Sequence, residues 1–361
     1  MLLLRNRPYS KEKIVFTVLV CILALAPLFL SEFRTNLLGK FLAYAILALG
    51  LDLIWGYTGI LSLGHGVYFG LGAYCMAMYL KLEASGGKLP DFMSWSGLDS
   101  LPWFWKPFSY APAAVLMSIL IPMLLAFVIG YLTFKNRIRG VYFSILSQAL
   151  SIIFVVLFVG QQAYTGGTNG ITNYSTIFGL SLSSTSTKIM LYYAALALLI
   201  LSFILCSFIV SRRIGKILIA VRDGENRVRF SGYNPTVFKV FVYCISAGLA
   251  GIAGTIYVPQ VGIISPAEMG IIPSIEMVIW VAIGGRGSLI GAVIGAVLVN
   301  SLKSGVSESF PDMWSYFIGV AFVLTVLIMP SGIVGLVKRT WNKLKVSTLK
   351  IKSVLVLNNK L

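Results

Sequence analysis

The sequence predicts an all-α polytopic membrane protein with about eight full transmembrane helices plus a discontinuous helix pair. Three observations carry this. Hydrophobic residues fill 58% of the 361 positions and charged ones only 11%, far from a soluble composition. Several apolar runs reach or approach the ~20 residues that a helix needs to cross a bilayer. Those runs are too long and continuous for barrel strands, and only helices or closed barrels satisfy every backbone group in lipid.

At the N-terminus, Arg5, Arg7, Lys11 and Lys13 precede the first apolar run, 14–30, as in a signal peptide. A small-residue triplet stands at Ala24, Leu25 and Ala26, but Pro27 follows it and the run continues to Leu30. The segment therefore reads as an uncleaved first span. Further spans are expected at 41–55, 67–80, 112–134, 141–160, 189–210, 240–258 and 314–330, with a more broken region at 274–302. This divides the chain into a cytoplasmic segment 1–13, a membrane domain 14–336 with a polar loop at 211–239, and a basic cytoplasmic tail 337–361. The tail alternates lysines with apolar residues, which suits an interfacial helix or a loose segment on anionic lipid.

The net charge of +17 is a topology signal here rather than a nucleic-acid footprint, because no soluble domain exists to carry one. With the N-terminus placed in the cytoplasm, 21 of the 29 Lys and Arg fall on that side. The loop 161–187 carries no charge at all. The expected location is the bacterial inner membrane, with both termini cytoplasmic. Cys21, Cys75, Cys206 and Cys244 lie inside apolar runs without CxxC spacing and read as small buried hydrophobes.

Parity constrains the broken region. Seven crossings leave 259–273 outside and the last span must end inside, so 274–302 makes no net crossing. It either dips in and returns or crosses twice with short helices, around Gly284, Gly285 and Gly287. A second break lies in GYTGILSLGHG, 56–66. Non-helical backbone at membrane depth is tolerated only where protein covers it or it lines a polar cavity. Paired interruptions point to a transport pathway. Helix packing is the alternative, because Gly66 and Gly70, Gly291 and Gly295, and Gly248, Gly251 and Gly254 recur at helical spacings.

Candidate pathway residues come from these breaks. Asp52 and Glu276 are the acids nearest membrane depth, where a charge is costly and usually functional. Asp52 sits near the inner end of its span and Glu276 near the start of its own, so either could also reach water. His65, the single histidine, lies in the first break with Thr58 and Ser62 beside it. It is either a hydrogen-bonding group of the path or a side chain satisfied by freed backbone. A lone histidine cannot build a multi-histidine zinc site, and no HExxH is present. On the external side, Thr165, Gly166, Gly167, Thr168 and Asn169 form an uncharged loop, either a gate or partner contact or a plain turn.

The loop between the sixth and seventh spans is unlike its surroundings. In GKILIAVRDGENRVRFSGYNP, Ile217, Leu218 and Val221 give a short apolar face, followed by Asp223, Glu225 and Asn226. A short interfacial helix is expected, ended by Gly232 and Pro235. This stretch, with LDLIWGYTGILSLGHGVYFGLGAY, TGGTNGIT and SIEMVIWVAIGGRGSLIGAVIGA, resembles the permeases of the branched-chain amino acid ABC-transporter family over about 35–336. The resemblance implies that Gly215, Ala220, Arg222, Asp223, Glu225 and Gly232 form a helix that docks on an ATPase. It also implies a second homologous permease, two ATP-binding subunits and an external solute-binding protein. The chain has no G-x-x-x-x-G-K-[ST], so any ATP is used by the partner subunits, and the chain is expected to be neither an enzyme nor a cofactor binder.

Within the family, the resemblance points most closely to the urea importers, through LDLIWGYTGILSLGHGVYFGLGAY, IEMVIWVAIGGRG and the aromatic SWSGLDSLPWFWKPF. Urea would need acceptors without a cationic clamp. A branched-chain amino acid, the alternative, would need a charge partner at each end and an apolar pocket. A passive channel would explain the breaks but leaves the charged loop without a purpose. An intramembrane enzyme would need clustered acids or histidines, which the sequence does not place together.

Overall fold

The computed structural model describes residues 7–309 and, beyond them, 316, 317, 319, 320, 323 and 332–336. The helices run in order α1 (Arg7–Phe29), α2 (Glu32–Thr58), α3 (His65–Ala84), α4 (Asp91–Trp95), α5 (Ala111–Lys135) and α6 (Val141–Gly160). They continue with α7 (Gln162–Thr165), α8 (Thr185–Ser211), α9 (Arg213–Phe230), α10 (Pro235–Val261), α11 (Ile271–Gly284) and α12 (Leu289–Ser309). A two-residue hairpin, Thr176–Ile177 with Leu180–Ser181, is the one sheet among the described residues.

The protein is an all-α polytopic membrane protein. Among the described residues, seven helices are long and apolar enough to cross a bilayer: α1, α2, α5, α6, α8, α10 and α12. Two differences from the expected spans have physical causes. The run at 67–80 does form α3, but His65, three tyrosines, three glycines, Lys81 and Glu83 dilute its apolar content. Nearly all of α3 is buried in protein, so it need not be lipid-soluble. The region 274–302 resolves into a 14-residue α11 and a 21-residue α12. At 1.5 Å per residue the first spans only about 21 Å, short of a ~30 Å hydrocarbon core, and the second suffices. The expected span 314–330 and the tail 337–361 fall almost wholly outside the described residues.

Burial sorts the helices. The middle of the bundle is α2, α3 and α10, with α2 enclosed almost all round. By contrast α1, α5 and α6 turn large apolar side chains outward, such as Ile22, Leu124 and Ile153, as lipid-facing helices do. Close approach in the centre depends on glycine. A Cβ on Gly251 would lie 2.2 Å from Ser118 O, and one on Gly72 would lie 2.4 Å from Gly251 O. The Gly248–Gly251–Gly254 spacing is thus a packing face between α3, α5 and α10.

Both expected breaks are present. The first is the non-helical segment 59–64 between α2 and α3. His65, the first residue of α3, pairs with Ser246, the twelfth of α10. This places the start of α3 about 17 Å along α10, well inside the bundle. Two hydroxyls of α6 replace the lost helical bonds: Ser144 Oγ donates to Leu61 O at 2.8 Å, and Leu63 N donates to Ser147 Oγ at 3.0 Å. The second break, 285–288, turns α11 back into α12. Since α11 starts beside Gly66 (Gly66 N to Ser274 Oγ, 3.2 Å) and ends beside Asp52, it covers the same depth as the first break.

Candidate functional site

The last turns of α2, just before the first break, meet the second break at one junction, on the face of the bundle that carries α9. Asp52 Oδ1 accepts a hydrogen bond from Gly287 N at 2.7 Å, and the Tyr57 hydroxyl donates to Gly287 O at 3.2 Å. One turn after Asp52, Gly56 has no room for a side chain, because a Cβ would lie 2.6 Å from Gly287 N. From above, Arg222 Nη1 of α9 donates to Gly56 O at 2.8 Å, while its Nε donates to Asp223 Oδ1 at 2.9 Å. So α9, the end of α2 and the turn between α11 and α12 form one connected unit.

Local sequence explains α9 itself. Gly215, Leu218 and Val221 repeat every three residues and are buried, while Ala220 and Asp223 face outward beside a groove of about 460 Å³ that also includes Arg227. Gly215 allows a tight corner after α8, since a Cβ there would lie 2.0 Å from Val210 O. The helix kinks at Gly224, and Gly232 turns the chain at φ +83 toward α10. Asp223 is 57% exposed. Glu225 behaves differently.

Glu225 points inward, its side chain 9% exposed, and gathers three cations: Lys239 at 2.5 Å, Arg229 at 2.9 Å and Arg139 at 3.2 Å. It ties α9 to the start of α10 and to the loop between α5 and α6. Burial alone would raise its carboxyl. The hydrogen bonds from Lys239 and Arg229, with the charges of Lys239 and Arg139, outweigh that and hold it below the ordinary glutamate value. Its stabilisation is therefore complete above the ordinary value of 4.5 and is lost only as pH falls through the lowered one. A Glu225→Ala chain would leave the buried Lys239 without its anion, a loss of about 3 kcal/mol. Its melting temperature in detergent is expected to fall at pH 7, whereas the parent should hold constant until below the ordinary carboxylate range.

The remaining sequence-derived candidates separate into two groups. His65 is fully buried. Its Nε2 lies 2.7 Å from Ser246 Oγ, whose own hydrogen goes to Gly50 O at 2.6 Å. The hydroxyl must then accept from the ring, so Nε2 carries the proton. Thr58 donates to Ile54 O at 2.5 Å within its own helix, and Ser62 is enclosed. On the opposite face, Gly166 takes φ +81 and Gly167 φ +60, and Asn169 is exposed. That loop is pinned by a bridge between Ile171 and Ile264, just before the 3-10 turn Pro266–Met269.

Glu276 stands with groups that sequence reading passed over. Lys303 Nζ of α12 donates to its two carboxylate oxygens at 2.9 and 2.7 Å. Lys40 of α2 places its ammonium over the ring of Tyr257, whose hydroxyl donates to Glu268 of the 3-10 turn at 3.2 Å. One signal could have revealed Lys40: it is a cation within an apolar run, NLLGKFLAYAILALG, where charges are costly. No group of His, Cys, Asp or Glu suited to a metal occurs among the described residues.

A family profile described as branched-chain amino acid transport system, permease component, matches residues 33–326. The high-affinity branched-chain amino acid transport system permease protein LivM of Escherichia coli K12 is 27% identical over 351 residues, covering 91% of this chain and 76% of that protein. LivH of the same strain, named for the same transport system, is 24% identical over 306 residues, covering 81% of this chain and 91% of its own. The autoinducer 2 import system permease LsrC of Yersinia enterocolitica is 26% identical over 219 residues, covering 59% of this chain and 58% of its own. No solved structure matches significantly.

These matches overturn the expectation of a urea importer, since the relatives are named for branched-chain amino acids or autoinducer 2 and none for urea. The structure explains the error. In the stretches that suggested urea, Gly56, Gly64 and Gly284 serve backbone approach to Gly287, Ser147 and Gly291. The aromatic stretch packs on the neighbouring loop through Trp105 Nε1 and Tyr164 O at 3.0 Å. Such contacts shape the bundle and carry no information about the solute.

Proposed function

The chain belongs to the branched-chain amino acid transport permease family, and on that premise we propose that it is the membrane-embedded subunit of an ATP-driven importer of branched-chain amino acids. It works in the bacterial inner membrane with a second homologous permease, two ATP-binding subunits and an external solute-binding protein. Its α9 face lies in the cytoplasm, in keeping with the basic residues gathered there.

The observation that carries this reading is the form of α9. Its outer side offers Ala220, Asp223 and a groove to a partner, and its inner side is bonded through Arg222 to the place where the end of α2 meets the second break. A force applied to α9 would therefore reach α2, α11 and α12 directly. The solute path runs beside Glu276, in the first half of α11, and the junction lies beyond the other end of that helix. A passive pore would have no use for such a linkage.

The test is reconstitution of the chain with its partner subunits in proteoliposomes. Leucine uptake should require ATP and the binding protein. A cysteine placed at the exposed Asn226 should resist a membrane-impermeant label in intact cells and react once the membrane is opened. Uptake without ATP, or labelling of intact cells, would reject the proposal.

A further inference from the structure

Four charged side chains gather within helices that otherwise meet lipid or each other. Lys40 lies about 12 Å along α2 from its Glu32 end, and Lys303 about 9 Å from the end of α12. Glu276 is the sixth residue of α11, and Glu268 lies in the preceding 3-10 turn. All four are half-buried, so part of the cluster is open. Lipid does not solvate such a surface. Its open side must face an aqueous route or another permease chain.

Pairing within the cluster is uneven. Lys303 and Glu276 satisfy one another at 2.7 Å. Lys40 has no ion pair or hydrogen bond among the described residues. Its ammonium sits instead over two rings, 5.6 Å from the centre of Tyr44 and 5.5 Å from that of Tyr257. Glu268 accepts one hydrogen bond there, from the Tyr257 hydroxyl at 3.2 Å. Tyr44 and Tyr257 are in ring contact at 5.6 Å, and Trp280 packs on Tyr44 at 4.7 Å. Trp280 is 2% exposed, yet its Nε1–H finds no partner, an unusual state for a buried indole.

Resting on the permease reading, the geometry points to a transfer site for a zwitterionic aliphatic amino acid at this cluster. Lys40 receives the carboxylate and Glu268 the ammonium. The Tyr44 and Tyr257 rings, closed on Trp280, form an apolar floor beneath Lys40, and the Glu276–Lys303 pair fixes α12 against α11. A neutral solute such as urea would offer neither Lys40 nor Glu268 a charged partner of its own. A purely anionic or cationic solute would satisfy one and not the other. A solute with both ends charged bonds to both.

The experiment uses the reconstituted importer and the same complex without its binding protein. Replacing Lys40→Gln or Glu268→Gln should lower leucine uptake at least about tenfold, the loss of one charged hydrogen bond. ATP hydrolysis stimulated by the binding protein should stay within about twofold, because the drive is untouched. Lys40→Arg should retain most uptake. In the complex without binding protein, leucine should raise the melting temperature. Isovalerate, which lacks the ammonium, and isoamylamine, which lacks the carboxylate, should not, and Lys40→Gln should abolish the leucine effect. Normal uptake by Lys40→Gln, or equal protection by all three compounds, would overturn the site. Absence of ATP-driven uptake by the unaltered complex would instead reject the importer reading, leaving leucine protection as the readout of the site.

Discussion

A chain with Gly284→Val is expected to fail to accumulate as a folded membrane protein. A Cβ at residue 284 would lie 1.9 Å from Gly291 O, which is backbone and cannot swing aside. The facing Gly295 is equally confined, with its would-be Cβ 2.0 Å from Trp280 O. The α11–α12 hairpin therefore closes backbone on backbone at two levels. Forcing it apart costs more than about 3 kcal/mol, a large part of the stability of a marginal fold. The loss should appear as aggregation in size-exclusion profiles and as a low level in membranes. Val at Gly305, where a Cβ meets nothing within 4 Å, serves as the control and should be tolerated. A monodisperse Gly284→Val protein with parental melting behaviour would show that the hairpin does not hold the bundle together as described.

Reversing the charges at Arg222 and Asp223 together is expected to uncouple ATP hydrolysis from uptake while leaving the protein inserted. The guanidinium of Arg222 joins α9 to Gly56 O, and Gly56 is in contact with Gly287 at the second break. A charged hydrogen bond contributes roughly 1.5–3 kcal/mol. Loss of that amount from the coupled step is about ten- to hundredfold in rate. Arg222→Lys keeps the charge but not the planar fork, so it should give an intermediate defect. Measuring uptake and hydrolysis on the same preparation checks this. Parental ratios of the two in the double variant would exclude Arg222 and Asp223 from coupling. Their neighbour Glu225 belongs to a different task, because its carboxylate is enclosed by Arg139, Arg229 and Lys239.

Much of the fold is legible in the amino-acid sequence. Apolar runs mark most helices, since partition into lipid is set by local composition over one span. Both breaks are visible as glycine clusters, and the polar insert as a charge-rich interruption. Less of the site is legible. Arg222, Asp223 and Glu225 read as three equivalent polar contacts, yet one turns to the bundle, one outward, and one into a buried ion cluster. Helical period alone does not separate them, because the kink at Gly224 rotates Glu225 and the residues after it relative to Arg222 and Asp223.

The sequence by itself determined that this is a multi-span helical protein, where its backbone is interrupted, and which family it resembles. Those properties come from hydropathy, glycine placement and motifs read along one stretch of chain. Tertiary structure alone decided that the end of α2 touches the second break, that His65 is an enclosed strut between α3 and α10, and that Lys40 and Glu268 meet at Tyr257. The physical reason is separation: Asp52 and Gly287 are 235 residues apart, and Lys303 and Glu276 are brought together only by the turn at 285–288. Hydrophobic pattern specifies that a helix is buried, but which polar groups meet across helices is fixed by packing.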